Sequence, residues 1–409
     1  MIPKAELLAL AREWQLTPGV VEKDYVLGWM LAGVGADTET AEAWVFKGGT
    51  CLKKCVLETY RFSEDLDFTL TPSAKYAEGE IAAALARITA WVAERSGLVF
   101  PAGSVAIRAR QNRAGERTFE ASVGYQGPLS QPGPPKIRFD ITQHEPIVTP
   151  TVEREIFHPY SDALPERLRV TSYSTAELVA EKTRALFERS RPRDLYDVIQ
   201  LGEIELPAEE TARLRAVAVR KFESKGLNLP SASELESAVR ANGELTSEWS
   251  NMLAHQLPAL PALEDQLARL PRALSWLDET ATRATASAAS RGPRPSAIPL
   301  AAGDRIITAR SIRSWGSGSP LETIRFAAAN RLLVEFSYHG SRRVVEPYSL
   351  RVKGTGNLLL YAWEVRKGAS TTNDIRAYKV GEVADAKALT TSFNPRFLVE
   401  FMDVGGIWR

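Results

Sequence analysis

An α+β architecture in two parts is what this sequence predicts, and three observations carry that reading. Residues 1–280 are dominated by apolar spacing of helical period, crossed by a few short strands of period two. The stretch TATRATASAASRGPRPSAIPLAAGD (280–304) then almost loses its large apolar residues and reads as a linker over 281–305. From 306 to 409 short β-runs follow one another, separated by turn signals such as YHGS and KGTGN. At 409 residues the chain has length for two or three cores.

Taken in order, helical spacing covers 4–16, 20–33, 50–60 and 78–96, then 175–189, 193–203, 208–222 and 245–280. Alternation predicts strands near 43–47, 66–70, 105–110, 117–125 and 136–142. The helix at 175 opens with a capping box, Ser174 three residues before Glu177, and Pro192 suits the start of the next one. After the linker a helix (320–330) precedes LLVEFSY (332–338), RVVEPYSLRVK (343–353), NLLLYAWEV (357–365) and DIRAYKV (374–380). No internal repeat is present.

The apolar fraction (44%) and charged fraction (25%) are those of a soluble globular protein. The N-terminus is an amphipathic helix pattern rather than a signal peptide, and no run has the length of a membrane span, so the expected location is the cytoplasm. Cys51 and Cys55 stand one helical turn apart; with four scattered histidines they indicate neither a disulfide framework nor a zinc site. Net charge is +1, yet 306–409 holds 15 Lys+Arg against 9 Asp+Glu, leaving 36 against 41 in 1–305. That asymmetry points to an anion meeting the C-terminal part.

The chemistry concentrates in FKGGTCLKKCVLETYRFSEDLDFTL (46–70). In LDFTL, Leu66, Phe68 and Leu70 share one strand face, and Asp65, Asp67 and Thr69 share the other. Two carboxylates on one face repel each other; the face is either a wet strand edge or a seat for a divalent ion. KIRFDIT (136–142) alternates in the same way and offers a third carboxylate, Asp140, on a polar strand face. Two carboxylates on one strand and a third on another are the arrangement that holds Mg²⁺ for phosphoryl or nucleotidyl transfer. Upstream, a strand runs into Gly48-Gly49 and a helix opens near Thr50, a geometry whose backbone N–H groups bind phosphate, with Lys47 adding charge.

A second cluster lies in LVAEKTRALFERSRPRDLYDV (178–198). Leu178, Lys182 and Ala185 line one stripe, which places Lys182 beside an apolar face, where it snorkels, pairs with a local carboxylate or meets an anion. Asp194 and Asp197 share the first turn of the following helix, where the helix dipole favours acids, while Arg191 and Arg193 are placed to hold a triphosphate or an RNA backbone.

With these pieces in order, 1–280 resembles the AbiEii/AbiGii-type nucleotidyltransferase toxins, to which the MenT toxins are related. The resemblance rests on VVEKDYVL (20–27), FKGGTCLKK (46–54), RFSEDLDFTL (61–70), KIRFDI (136–141), the 178–198 stretch and, more loosely, the EWSNML…L segment (248–260). It implies a polymerase-β-like fold with a helical C-terminal part, transferring NMP from an NTP with Mg²⁺. Carried over residue by residue, it makes Lys47, Gly48, Gly49 and Thr50 the phosphate turn and Ser63, Asp65 and Asp67 the metal strand. Asp140 becomes the third metal ligand and general base, Lys182 the nucleotide-contacting lysine, and Asp194 the second essential acid, with Arg193 and Asp197 in the same motif. Related toxins modify the 3′ end of tRNA, so RNA is the implied acceptor and an antitoxin the implied partner; a protein or small-molecule acceptor, or a non-catalytic nucleotide sensor, are the alternatives.

Residues 306–409 resemble a WYL domain through VEFSYHGSRRVVEPYSL (334–350), LLLYAWEV (358–365), IRAYKV (375–380) and SFNPRFLVEF (392–401). The resemblance implies an Sm-like β-barrel sensing an anionic or nucleotide-like ligand, with Tyr338, Arg343 and Arg376 around it. The helical segments carry no helix-turn-helix signal for DNA.

Overall fold

The computed structural model describes residues 1–57, 61–111, 117–166, 168–204, 206–278, 296–299, 305–306, 320–354 and 356–401. Three helices, α1 (Lys4–Glu13), α2 (Pro18–Ala36) and α3 (Thr38–Ala43), lead into β1 (Trp44–Lys47) and the one-turn helix α4 (Gly48–Cys51). After β2 (Asp65–Leu70) and α5 (Glu78–Ser96) come β3 (Val105–Gln111), β4 (Arg117–Gly124), β5 (Lys136–Thr142), β6 (Val152–Glu155) and β7 (Arg169–Ser172). These strands form one mixed sheet in the order β3-β4-β5-β2-β1-β7-β6. The pairings β2–β5 and β1–β7 are parallel and the other four antiparallel.

Period-two alternation decides which face of the sheet is covered. Leu66, Phe68, Phe119, Ile137, Phe139 and Ile141 are at most 1% exposed and join the core beneath α2 and α5. The opposite face keeps the polar side chains. The helical part follows as α6 (Thr175–Arg189), α7 (Pro192–Gly202), α8 (Ala208–Glu223), α9 (Ala232–Ala241), α10 (Gly243–Leu253) and α11 (Leu263–Leu274).

Several predicted elements differ from the fold for local reasons. The single helix expected over 245–280 is broken between α10 and α11, because Pro258 and Pro261 each remove a backbone donor and Leu257, before the first of them, is extended. The helix expected over 50–60 is α4 followed by a π-helical segment, Leu52–Val56, closed by Leu57 N–H donating to the Leu52 carbonyl. The capping box at α6 is half formed. Ser174 Oγ accepts from Glu177 N–H (3.1 Å), but the Glu177 carboxylate accepts instead from Val148 and Thr149 N–H (2.9 and 3.1 Å). Both cysteines are free and buried.

Beyond α11, the predicted linker falls largely outside the described residues. Its described pieces lie on the C-terminal sheet: Arg351 donates to the Ile298 and Pro299 carbonyls (2.7 and 2.8 Å), and β8 (Arg305–Ile306) pairs with Arg351 and Val352 of a later strand. That sheet consists of β9 (Leu332–Tyr338), β10 (Ser341–Val352), β11 (Leu358–Lys367), β12 (Ser370–Lys379) and β13 (Ala384–Ser392), in the order β12-β11-β10-β9-β13, preceded by helix α12 (Leu321–Ala329). The two end strands do not pair with each other, so the described residues form an open antiparallel sheet rather than the closed barrel expected. Asn330 and Arg331 at the end of α12 fasten this part to α7. Tyr196 and Gln200 donate to Asn330 Oδ1 (2.8 and 3.1 Å), and Arg331 pairs with Glu203 (3.5 Å).

Candidate active site

The polar face of the first sheet aligns the predicted residues by register alone. Lys47 on β1 lies opposite Asp67 on β2, and Asp67 lies opposite Asp140 on β5, so the three stand in one row across three strands. Asp65 lies in the next row, opposite Arg138. Among the described residues, none of Asp65, Asp67 and Asp140 forms an ion pair within 4 Å.

The glycines are required where they stand. Gly48 has φ +77°, and a Cβ there would lie 2.0 Å from Asp67 Oδ2. At Gly49 a Cβ would come within 2.7 Å of Arg61 Nη2 and 3.0 Å of Ser63 Oγ. The turn thus lies directly against the carboxylate strand, and Thr50 Oγ1 donates to the Asp65 carbonyl, tying α4 to β2.

The carboxylates carry the mark of unmatched charge. Burial pushes Asp67 up to about 6; Lys47 and Lys182 draw it down, while Asp140 and Asp65 push it further up. Burial also raises Asp65, against the pull of Arg138. Asp140 is raised as well, by burial and then by Glu120 and Asp65 against Lys47, but it is the most exposed of the three and the most screened by solvent.

The two nearest lysines are spoken for. Lys47 pairs with Glu145 and lies 3.7 Å from Glu181. Lys182 lies 2.8 Å from Asp197, whose two oxygens also receive a bidentate fork from Arg61 (2.7 and 2.8 Å). Asp197 is fully buried with both oxygens taken, so it positions Lys182 and is not open to a nucleotide as its motif implied. Asp194 is likewise buried and gripped by Arg189 (2.7 and 2.8 Å), so the two acids do not share one open face. Arg193 is half-buried and donates to the Met252 carbonyl (3.4 Å); its charge reaches Asp65 and Glu64.

Arg61, Glu145, Glu181 and Lys221 are functional neighbours that sequence reading did not single out. Lys221 is fully buried, lies 2.8 Å from Glu177 and 3.9 Å from both Glu145 and Glu181, and donates to the Pro146 carbonyl (2.8 Å). A buried acid in the run after β5, and a buried lysine on α8, leave no local signature because their partners lie on other elements.

A divalent cation is tested by the donor set. Three hard-oxygen carboxylates without cationic partners fit Mg²⁺, which takes one or two protein carboxylates and completes its shell from substrate phosphates and water. Among the described residues, no three or more acidic, histidine or cysteine side chains are gathered closely enough to hold a metal ion by themselves.

The C-terminal residues assemble in part. Tyr338 stacks on His339 (4.2 Å between centroids) and meets Tyr378 edge-on (5.1 Å). Arg343 is buried 3.4 Å from Glu364, which also accepts from Tyr378 Oη (2.6 Å); the Arg343 Nη1 has no hydrogen-bond partner. Arg376 is exposed and pairs with Asp374 (3.0 Å). Glu364 therefore sits beside the arginine where the resemblance placed an anion.

With the turn, the carboxylates and the lysines on the page, comparison with known proteins is decisive for the first part. The family model of the nucleotidyl transferase AbiEii toxin of type IV toxin–antitoxin systems matches residues 29–278. The chain belongs to this family. It is a nucleotidyltransferase, with an NTP as substrate and membership of a toxin class that is held in check by an antitoxin. Among solved structures it is similar to MenT4, a nucleotidyltransferase toxin from Mycobacterium tuberculosis H37Rv, at 19% identity and a TM-score of 0.43, covering 71% of this chain and 95% of that chain. No curated protein matches. Among the described residues no helix is long and apolar enough to cross a membrane.

Proposed function

We propose that this AbiEii-family enzyme transfers NMP from an NTP to an RNA acceptor, the 3′ end of tRNA, in a Mg²⁺-dependent reaction in the cytoplasm. The observation that carries the reading is the unmatched carboxylate face. Among the described residues Asp65, Asp67 and Asp140 lack ion pairs, whereas the carboxylates of Asp24, Glu145, Glu177, Asp194 and Asp197 are each paired with a cation. Asp65 and Asp67 hold the ion, and Asp140 completes the site. When bound, the ion neutralises the triphosphate and makes the attacking hydroxyl more acidic.

The remaining roles belong to the chain's own groups. Gly48 and Gly49 bring the backbone N–H groups of the turn close to the phosphates, and Thr50 keeps that turn against Asp65. Ser63 borders the same turn. Lys47 and Lys182 are held beside Asp67 by Glu145 and Asp197, so their charge is fixed in place before substrate arrives. Asp140, at the open edge, takes the proton from the acceptor hydroxyl, for which a raised carboxyl is suited. Asp194 and Arg193 support this wall from α7.

For the C-terminal sheet the proposed role is that of a WYL-like sensor of an anionic ligand. Support comes from the buried Arg343, with a nitrogen left over beyond Glu364, flanked by Tyr338 and the exposed Arg376.

The direct test is incubation of the purified full chain with Mg²⁺ and each labelled NTP in turn on a tRNA pool, followed by sequencing of 3′ ends. Added nucleotides at tRNA termini are the expected result. Label that enters protein or a small molecule, with the RNA untouched, overturns the acceptor.

A further inference from the structure

The row of charges that contains Lys47, Asp67 and Asp140 does not stop at β5. Register continues it to Glu120 on β4 and then to Arg108 on β3. The carboxylates are thus bracketed, by Lys47 and the glycine turn at one end and by an arginine at the other. The neighbouring rows repeat the pattern. Asp65 is followed by Arg138, and Thr69, Thr142 and Thr118 are followed by Arg110.

On the β1 side the face is crowded by the turn, Glu145 and Lys182. On the β5, β4 and β3 side Lys136, Arg138, Arg108 and Arg110 are all exposed. Among the described residues Glu120, paired with Arg110 at 2.7 Å, is the acid on this side apart from Asp140. Arg108 and Arg138 have no ion-pair partner among the described residues.

We infer that this uncovered half of the sheet is the docking surface for the acceptor RNA, with Arg108, Arg138 and Arg110 on its phosphates and its terminal hydroxyl delivered to Asp140 from the side opposite the NTP. The inference rests on the RNA reading given above. From β2 to β3 the surface spans about 14 Å at the usual strand spacing, room for several phosphates. Arginine forks match phosphate bidentately, and the face offers no large apolar anchor of the kind protein interfaces use. Among the described residues the exposed large apolar ones, Met1, Val99, Val152 and Leu398, all lie off these strands. Phosphate contacts of this kind position a strand without reading its bases, so the surface sets register and not sequence.

The test is binding without NTP, so that no transfer is needed. Fluorescein-labelled tRNA is titrated with the full chain across a salt series by anisotropy. The double variant Arg108→Ala/Arg138→Ala is expected to bind at least about tenfold more weakly, with a log–log salt slope shallower by about two. A control, Arg213→Ala/Arg220→Ala on the exposed face of α8, is expected to bind as wild type. Absence of RNA binding by the wild type, an unchanged double variant, or an equal loss in the control would overturn the surface. If binding behaves as expected but no RNA is labelled when NTP is supplied, the surface stands and the transfer reading falls.

Discussion

Carboxylates in this molecule live under two regimes, and the contrast between them identifies the site. Between α6, α7 and α8 every buried acid is matched: Asp197 by Arg61 and Lys182, Glu177 by Lys221, Glu145 by Lys47. Burial would raise Asp197 and Glu145, but the adjacent cations outweigh it and hold both below the usual carboxylate range. One strand away Asp65, Asp67 and Asp140 have no such partners and are raised. Among the described residues the fold pairs most of its buried acids with cations, Glu22 apart, which accepts from the Leu129 N–H (2.6 Å), and it leaves the half-buried Asp65 and Asp67 and the exposed Asp140 without one where two strands meet a glycine turn. The bare charge is what a cation from solution would fill, and the matched charge is the frame that holds the lysines beside it.

The largest way to break that contrast is to remove a bare carboxylate. Asp67→Asn is expected to lose transfer by at least about three orders of magnitude, since the ion's charge stabilisation is worth several kcal/mol. Its stability should move the other way. A carboxyl raised to about 6 contributes stability that is complete below its unfolded pKa near 3.8 and lost as pH rises through 6. Asp67→Asn should therefore be more stable than wild type above pH 7, on the order of 1–2 kcal/mol, and no more stable near pH 4. It should also lose the increase in melting temperature that Mg²⁺ gives the wild type. Urea melts at two pH values with and without Mg²⁺ check all three; a variant less stable than wild type at pH 7.5 would mean that Asp67 is already matched.

A smaller effect, opposite in sign, is expected in the frame. Arg61→Leu strands Asp197 with Lys182 as its remaining cation and removes a contact to Gln256 (3.0 Å). Breaking one partner of a buried pair costs about 3–5 kcal/mol, measurable as a lower urea midpoint with an unchanged slope. If Arg61→Leu leaves the midpoint in place, the frame contributes nothing and the contrast loses one side.

These two regimes were unequally legible in the sequence. The bare acids announce themselves because strand alternation has period two. Leu66, Phe68, Ile137 and Phe139 define the covered face, and their neighbours must point the other way. Their parallel pairing in register was not readable, since nothing in either strand names its partner. The frame was nearly invisible. Arg61 lies 136 residues from Asp197, and Lys47 lies 98 residues from Glu145. Lys182 was suspect as a lysine on an apolar stripe, but which acid received it depended on the packing of α6 against α7. The π-helical segment after α4 has no sequence mark, because its extra residue per turn is set by tertiary packing. In the C-terminal sheet, short strands and turns were plain, while closure into a barrel depends on pairing between end strands that alternation cannot specify.

The smallest and most selective probe of the contrast is pH acting on one matched acid. Burial alone would raise Glu145, but the ammonium groups of Lys47 and Lys221 outweigh it and hold the carboxyl at about 2, against an ordinary 4.5. A depressed carboxylate contributes stability that is complete above the unfolded value and lost as pH falls through the folded one, so this contribution disappears between pH 4.5 and 2. Its size is on the order of 3 kcal/mol. Glu145→Gln keeps the shape and removes the titration. The difference in stability between wild type and variant should be constant above about pH 5 and shrink steadily below it, as read from urea midpoints. Other matched acids, Asp197 among them, titrate in both proteins and cancel in the difference. A difference that stays constant down to pH 2 would show Lys47 to be held by Glu181 instead, and would move the anchor of the phosphate-side lysine from the run after β5 to α6.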